Sequence, residues 1–258
     1  MSGSVTGGGM DLWVIVPAYN EAGGIEATLR ALEAQDDPGF TLVVVDNMST
    51  DGTADVVRAY ARTSPMTIEV IQESHKGTGA ASDTGMRHAI ARGGTHLART
   101  DADCVPRRDW VRGMKRGFGD GLEMVGGRLR PRTDEFRLKL WERRLIPFVV
   151  GVAAAFGRFR PGNRDAAYLG PYVMMPGATV GITSALYERA GGFPRTAIEE
   201  VHEDRALVNR VRKLTPAYAS RRDVVVYGSV RRLRAYGLAG TLAWYADHHY
   251  RPDVVDVR

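Results

Sequence analysis

Two acidic pairs carry most of the chemistry in this sequence. Asp101 and Asp103, in the run Thr100-Asp101-Ala102-Asp103, stand two residues apart directly after an apolar stretch. At a strand end, such a pair can address one ligand and one divalent cation together. Mg2+ and Mn2+ are hard ions, and few carboxylates hold them when substrate phosphate oxygens supply the remaining ligands. Asp also favours ordinary turns and caps, so the spacing alone is weak evidence and its position in the fold must decide. Glu203 and Asp204 open a helical pattern (EDRALVNRV), with Glu199 and Glu200 just ahead. Acidic residues in a first turn complement the helix dipole. The sharper reading is a general base, which takes the proton of a hydroxyl as it attacks an electrophilic carbon. His202 is a candidate third metal ligand and equally an ordinary residue at a helix start. Cys104 reads as a small packed side chain rather than a nucleophile.

Two further patterns concern phosphate. Gly77 and Gly79, after His75 and Lys76, begin a G-x-G-x-x-G fingerprint that fails at Ser82, so neither a dinucleotide site nor a P-loop is predicted. Lys76 and the helix start behind it could still meet a phosphate. Arg231, Arg232 and Arg234 form a basic run. It suits a solvated helix start, or a clamp whose guanidinium forks hold phosphate bidentately.

The elements that must position these residues alternate. Residues 12–16 predict a first strand stopped by Pro17, and Asn20 is placed to cap a helix using Ile25, Leu29 and Leu32. Residues 41–45 read as a strand buried on both faces. The Ser49–Thr53 stretch then offers cap oxygens and a turn glycine for a helix with Val56, Val57 and Tyr60. A third strand over 67–71, a helix over 80–92 and a fourth strand over 96–100 complete a βαβαβαβ series. Right-handed crossovers gather the loops after these strands along one sheet edge, where open α/β sheets bind ligands. Residues 17–21, 46–51 and 101–103 are therefore expected to meet. Beyond Pro106 the pattern predicts a helix with Trp110 and Met114, a strand over 123–128 and helices over 135–156. A long loop over 161–177, a strand over 178–183, helices over 184–190 and 203–212 and a strand over 224–227 follow.

The 258 residues carry 35 Lys and Arg against 30 Asp and Glu, a net charge of +5, with 44% hydrophobic residues. That is an ordinary globular composition and excludes wholesale disorder, collagen-like and disulfide-scaffold classes. The mild charge and the absence of base-stacking aromatic interleaving argue against a nucleic-acid partner. One unpaired cysteine and no signal-like N-terminus predict a reducing cytoplasm. The apolar stretch 145–157 covers about 13 residues where a spanning helix needs about 20. Its flanks, Arg143, Arg144, Arg158 and Arg160, would suit a helix at an anionic lipid surface, a peripheral contact at the inner face of a membrane. A buried helix with solvated ends fits the length better.

Taken in order, VIVPAYNE at 14–21, VVDNMSTDGT at 44–53, Lys76-Gly77 with Ala80, TDAD at 100–103, and GGFP at 191–194 with Glu203-Asp204 and Leu207 resemble family-two glycosyltransferases. The resemblance runs from about residue 12 to 234. It implies a GT-A fold, an αβα sandwich with a mainly parallel sheet and a fused acceptor-binding half. The expected organisation is a lead-in over 1–10 and a single domain over 11–258. Within it, 11–105 would bind the nucleotide-sugar and 106–258 the acceptor.

By that resemblance Pro17, Tyr19 and Glu21 surround the nucleoside, Asp46 meets the base edge, and Lys76 and Asp101 lie beside the nucleotide. Asp103 binds the Mn2+ or Mg2+ that bridges the diphosphate. Asp204 is the catalytic base with Glu203 as its neighbour, and Arg231 and Arg232 belong to a basic segment of the same site. The implied activity is inverting transfer of one sugar from a nucleoside-diphosphate sugar to a small or lipid-linked acceptor. The Q-x-x-R-W motif of processive synthases is missing, and Gly177-Ala178-Thr179 stands where many relatives read G-A-N. Trp141, Tyr168, Tyr172 and Met174 are candidates for acceptor contacts or for core packing. A non-catalytic nucleotide-sugar-binding or scaffold subunit with the same fold is the alternative.

Overall fold

The computed structural model describes residues 9–134, 165–195 and 203–231. The expected helices over 135–156, together with Trp141, the 145–157 stretch and its arginine flanks, Glu199, Glu200, His202, Arg232 and Arg234, lie outside them.

Four strands, β1 (Leu12–Ala18), β2 (Thr41–Asp46), β3 (Ile68–Gln72) and β4 (His96–Arg99), alternate with α1 (Ile25–Glu33), α2 (Thr53–Ala61) and α3 (Thr78–Ala91). They pair in parallel in the order β3-β2-β1-β4. β1 and all of β2 after its first residue are buried, as unbroken apolar runs covered by helices on both faces require. Beyond β4 the sheet continues with β5 (Cys104–Pro106), β6 (Met124–Pro131), β7 (Val180–Thr183) and β8 (Tyr218–Gly228). Here pairing is mixed: β4 with β7, β7 with β6 and β8 with β5 run antiparallel, whereas β6 and β8 run parallel. The remaining helices are α4 (Trp110–Gly119), α5 (Ser184–Arg189) and α6 (Glu203–Val211).

The sheet separates two apolar layers. On one face α1 and α4 pack through Leu29, Leu32, Trp110 and Met114 against Val14, Val16 and Val44. On the other, α3, α5 and α6 pack through Met86, Leu186 and Leu207 against Ile15, Val43 and Ile182. Gly85 lets α3 sit close: a Cβ there would fall 2.6 Å from Cγ2 of Ile15 and 2.8 Å from Cγ2 of Val45.

Several expectations are corrected. Pro17 does not stop β1, which runs on to Ala18 opposite Asp46. Odd residues of β1 bond toward β4, as when the Ile15 carbonyl accepts from Thr100, and that pairing ends at Ile15 opposite Arg99. The missing N–H of Pro17 therefore breaks no ladder bond. Asn20 does not cap α1, whose N-cap is Gly24; it sits at φ 52° and its side chain accepts from the Thr50 amide at 2.8 Å. Likewise α2 is preceded by Gly52 at φ 85°, with no side-chain cap. Residues 177–179 form one 3-10 turn rather than the start of β7, β8 begins earlier than 224, and β5 was not foreseen. Three residues are too few to carry a periodic signal, and β5 forms because β8 offers it an edge.

Candidate active site

The loops after β1, β2 and β4 meet at the carboxyl edge of the parallel strands. The first two are latched: the Asn20 amide donates to Ser49 Oγ at 3.0 Å, Glu21 N to Thr53 Oγ1 at 2.8 Å, and Ala22 N to Asp51 Oδ2 at 2.9 Å. The third is tied to α1, where Thr28 Oγ1 donates to the Ala102 carbonyl at 2.7 Å. Pro17 is buried and Tyr19 half-buried at the start of the first loop. Asp46 ends β2 only 4% exposed, and its Oδ1 is buried without a hydrogen-bond partner among the described residues. Such an atom costs free energy unless something meets it.

A second, partly buried cluster joins the chain's C-terminal part to these loops. Arg231 reaches Glu21 Oε1 at 2.5 Å and Asp103 Oδ2 at 3.5 Å. Arg99, 2% exposed at the end of β4, donates through Nε to Asp101 Oδ1 at 3.1 Å, and its Nη2 lies 3.0 Å from the same oxygen and 3.6 Å from Glu203 Oε1. Asp101, Asp103, Glu21 and the Glu203–Asp204 turn thus converge, although Glu21 and Asp204 stand 183 positions apart in the chain. Lys76 is exposed on a loop fixed by a residue that sequence reasoning missed. Asn47 donates to the carbonyls of Glu73 and His75 at 2.9 and 2.8 Å and accepts from Gly77 N at 2.8 Å. Gly79, at the start of α3, leaves room for the Pro194 carbonyl; a Cβ there would also lie 3.4 Å from that of Glu203. The lysine loop and the acidic turn are therefore neighbours.

Charge crowding shapes the carboxylates. Burial, then the Asp101 charge, pushes the Asp103 carboxyl above its ordinary pKa, with Arg231 pulling it back. Glu203 is raised by burial and by Asp204, against the pull of Arg99. Asp204 is raised by burial, although amides of Arg205 and Gly177 donate to it and Arg99 lies nearby. A carboxyl raised in this way is a better proton acceptor at neutral pH than a solvated one. Burial pushes the Cys104 thiol well up, with Asp103 adding to it, so a thiolate nucleophile is disfavoured.

Among the described residues, no three carboxylate, imidazole or thiol side chains form a ready-made metal cage. The donor set nevertheless fits a hard cation that takes one or two carboxylates and completes its shell with phosphate oxygens: Asp103 and Asp101 offer only oxygen, and their mutual repulsion favours a cation between them. Of the acceptor candidates, Tyr168 is engaged elsewhere. Buried Arg212 lies over its ring at 3.8 Å and 5.6 Å from that of Tyr172, pinning the 165–173 segment to the end of α6.

The family model for glycosyl transferase family 2 matches residues 13–186. The chain belongs to that family. Among curated relatives, glycosyltransferase AglE of Haloferax volcanii is 36% identical over 117 residues, 44% of this chain and 38% of AglE. Among solved structures, the mannosyltransferase PcManGT from Pyrobaculum calidifontis, in complex with GDP-Man and Mn2+, superposes with a TM-score of 0.64. It is 28% identical, covering 94% of this chain and 66% of that one. S. aureus TarS 1–349 superposes with a TM-score of 0.61 at 18% identity over 85% of this chain and 60% of TarS, a likeness of fold. This family 2 chain thus has the GT-A architecture and spans a little over a third of AglE and about two thirds of PcManGT. No helix among its described residues is long and apolar enough to cross a membrane.

Proposed function

We propose that this chain is an inverting, metal-dependent glycosyltransferase that moves one sugar from a nucleoside-diphosphate sugar to a hydroxyl of a small or lipid-linked acceptor. The observation that carries this reading is the bridge from Asp101 through Arg99 to Glu203, which sets the donor-side loops and the acidic turn of α6 around one space. PcManGT with GDP-Man and Mn2+, and TarS with UDP-GlcNAc, support a nucleoside-diphosphate sugar as the donor class.

In this reading Asp46 accepts from the base, Pro17, Tyr19 and Glu21 line the nucleoside, and Lys76 and Asp101 flank the phosphates. Asp103, with Asp101 beside it, holds the divalent cation. That ion, when bound, neutralises charge developing on the departing diphosphate. Arg231, already beside Asp103, adds a guanidinium on the same side, and Arg232 extends the basic segment. Asp204 takes the proton of the acceptor hydroxyl as its oxygen bonds to the anomeric carbon. The bond from that carbon to the diphosphate oxygen breaks with its electron pair, inverting the anomeric centre. Glu203, held by Arg99, keeps a second charge beside the base.

The test is a pair of variants. Asp103→Ala should abolish Mn2+-dependent binding of nucleoside diphosphate, read by calorimetry. Asp204→Asn should bind as the wild type does and lose turnover, read as nucleoside diphosphate release. Equal turnover in Asp204→Asn and wild type would reject the base, and tight donor binding without release under any acceptor would favour the non-catalytic subunit.

A further inference from the structure

We propose that Arg99 is a positioning residue for sugar transfer: one buried guanidinium, shared between Asp101 and Glu203, keeps the donor-side carboxylates and the base-bearing turn of α6 in register. It rests on the reading that Asp204 is the base.

Four surfaces close around this side chain. Two nitrogens hold Asp101 Oδ1, and one of them lies 3.6 Å from Glu203 Oε1. The Phe193 ring lies 5.3 Å from Cζ, within range of a cation–π contact. Gly177 closes the fourth side, where an added Cβ would stand 3.1 Å from Cζ and Nη1 and 3.2 Å from Nη2. A buried cation persists only where paired charges offset its desolvation, and here both partners belong to the site. They come from opposite ends of the machinery. Asp101 follows β4 in the nucleotide half, Glu203 opens α6, and Asp204 is the next residue along. A guanidinium is rigid and planar, so it fixes the angle between its two partners as well as their charge. Gly177, at the start of its 3-10 turn, stands against the guanidinium, so that turn is fixed to the same point.

The role belongs to position rather than to contact with substrate, so loss should fall on kcat and spare donor binding. Arg99→Met leaves Asp101 and Glu203 without their cation and can fail to fold; Arg99→Met/Glu203→Gln removes the charge and one partner together. Gly177→Ala leaves every charge in place and pushes the guanidinium by a few tenths of an ångström. The full chain is assayed with Mn2+ and UDP-GlcNAc or GDP-mannose, following nucleoside diphosphate release with water as acceptor, and titrated with UDP and GDP by calorimetry.

The expected result is a kcat about 100-fold lower in Arg99→Met/Glu203→Gln than in Glu203→Gln alone, with KM and Kd within about threefold. Gly177→Ala should lose about tenfold in kcat, and Arg99→Lys should recover part of what Arg99→Met loses. In thermal unfolding, the Tm changes of Arg99→Met and Glu203→Gln should not add: the double variant should keep a higher Tm than the sum of the two single changes gives. Strictly additive Tm changes would overturn the shared guanidinium, whether or not turnover is detected. So would a double variant within threefold of Glu203→Gln in kcat, or a loss confined to donor Kd. Asp204→Asn with full turnover instead removes the base assignment and leaves the Tm result standing, so the two failures are distinguishable.

Discussion

Asp204, the proposed base, carries a stability cost. Its carboxyl pKa is raised in the fold, chiefly by burial, so the native state holds the proton more tightly than the unfolded chain does. The stability this contributes is present at low pH and is lost as the pH rises through the folded-state pKa. Asp204→Asn should therefore raise Tm at pH 8, an advantage that shrinks as the pH is lowered, while turnover falls about 10²–10⁴-fold. Thermal scans at two pH values beside a release assay check both halves. The sequence marked this residue through its place in the EDRAL pattern. Arg99, the group that sets its surroundings, carried no mark, because an arginine inside a strand pattern reads as an exposed interruption until its partners are known.

At the scale of elements, the site is held by loops that hydrogen-bond to one another rather than by helix caps. Asn47 is 5% exposed and makes three hydrogen bonds to the 73–77 loop that carries Lys76. Asn47→Ala should cost about 1–3 kcal/mol in urea unfolding, the range for leaving buried groups unsatisfied, and should weaken donor binding. At the mouth of α3, burial works against the charge of Glu73, but Thr84, the His75 amide and Arg195 outweigh it and bring its pKa from 4.5 down to about 2. A depressed carboxylate stabilises above its unfolded pKa and loses that contribution as the pH falls through the folded one. Each pKa unit is worth about 1.4 kcal/mol, and half-exposed Arg195 is screened, so Glu73→Gln should cost roughly 2 kcal/mol at pH 7. The deficit should have largely vanished near pH 2, which paired urea titrations would show. The latches are partly legible: Asn20, Ser49 and Asp51 stand out as polar turn residues, but the local pattern casts them as caps for their own helices. Capping is a local motif visible in sequence, whereas bonds such as Asn20 to Thr50 span thirty positions and depend on how β1 and β2 pair.

For the molecule as a whole, the prediction is linkage. A nucleoside diphosphate at about 100 times its Kd, with Mn2+, should add ~2.7 kcal/mol to the stability of the folded chain, and EDTA should remove the shift. Gly85→Ala should cost about 1–3 kcal/mol without touching ligand affinity, because its methyl would overlap Ile15 and Val45 where α3 lies on the sheet. A Tm screen of wild type and variant, with and without ligand, separates packing from binding. The two parts of the sheet meet at β4, which pairs in parallel with β1 and antiparallel with β7.

The amino-acid sequence alone determined the βαβαβαβ frame, because continuous apolar runs alternating with amphipathic ones leave few ways to bury both. It also determined the family, through short motifs whose order survives in one dimension, and hence the acidic residues worth examining. Only the tertiary structure decided that Pro17 lies within β1, that β5 exists and that the sheet turns mixed beyond β4, since each depends on which strand edge another segment finds. It alone brought Glu21, Arg231 and Asp103 into one cluster and set Arg99 between Asp101 and Glu203. The reason is that electrostatic and hydrogen-bond partners are chosen by distance in space, and chain separation carries no record of that distance once the sheet has folded.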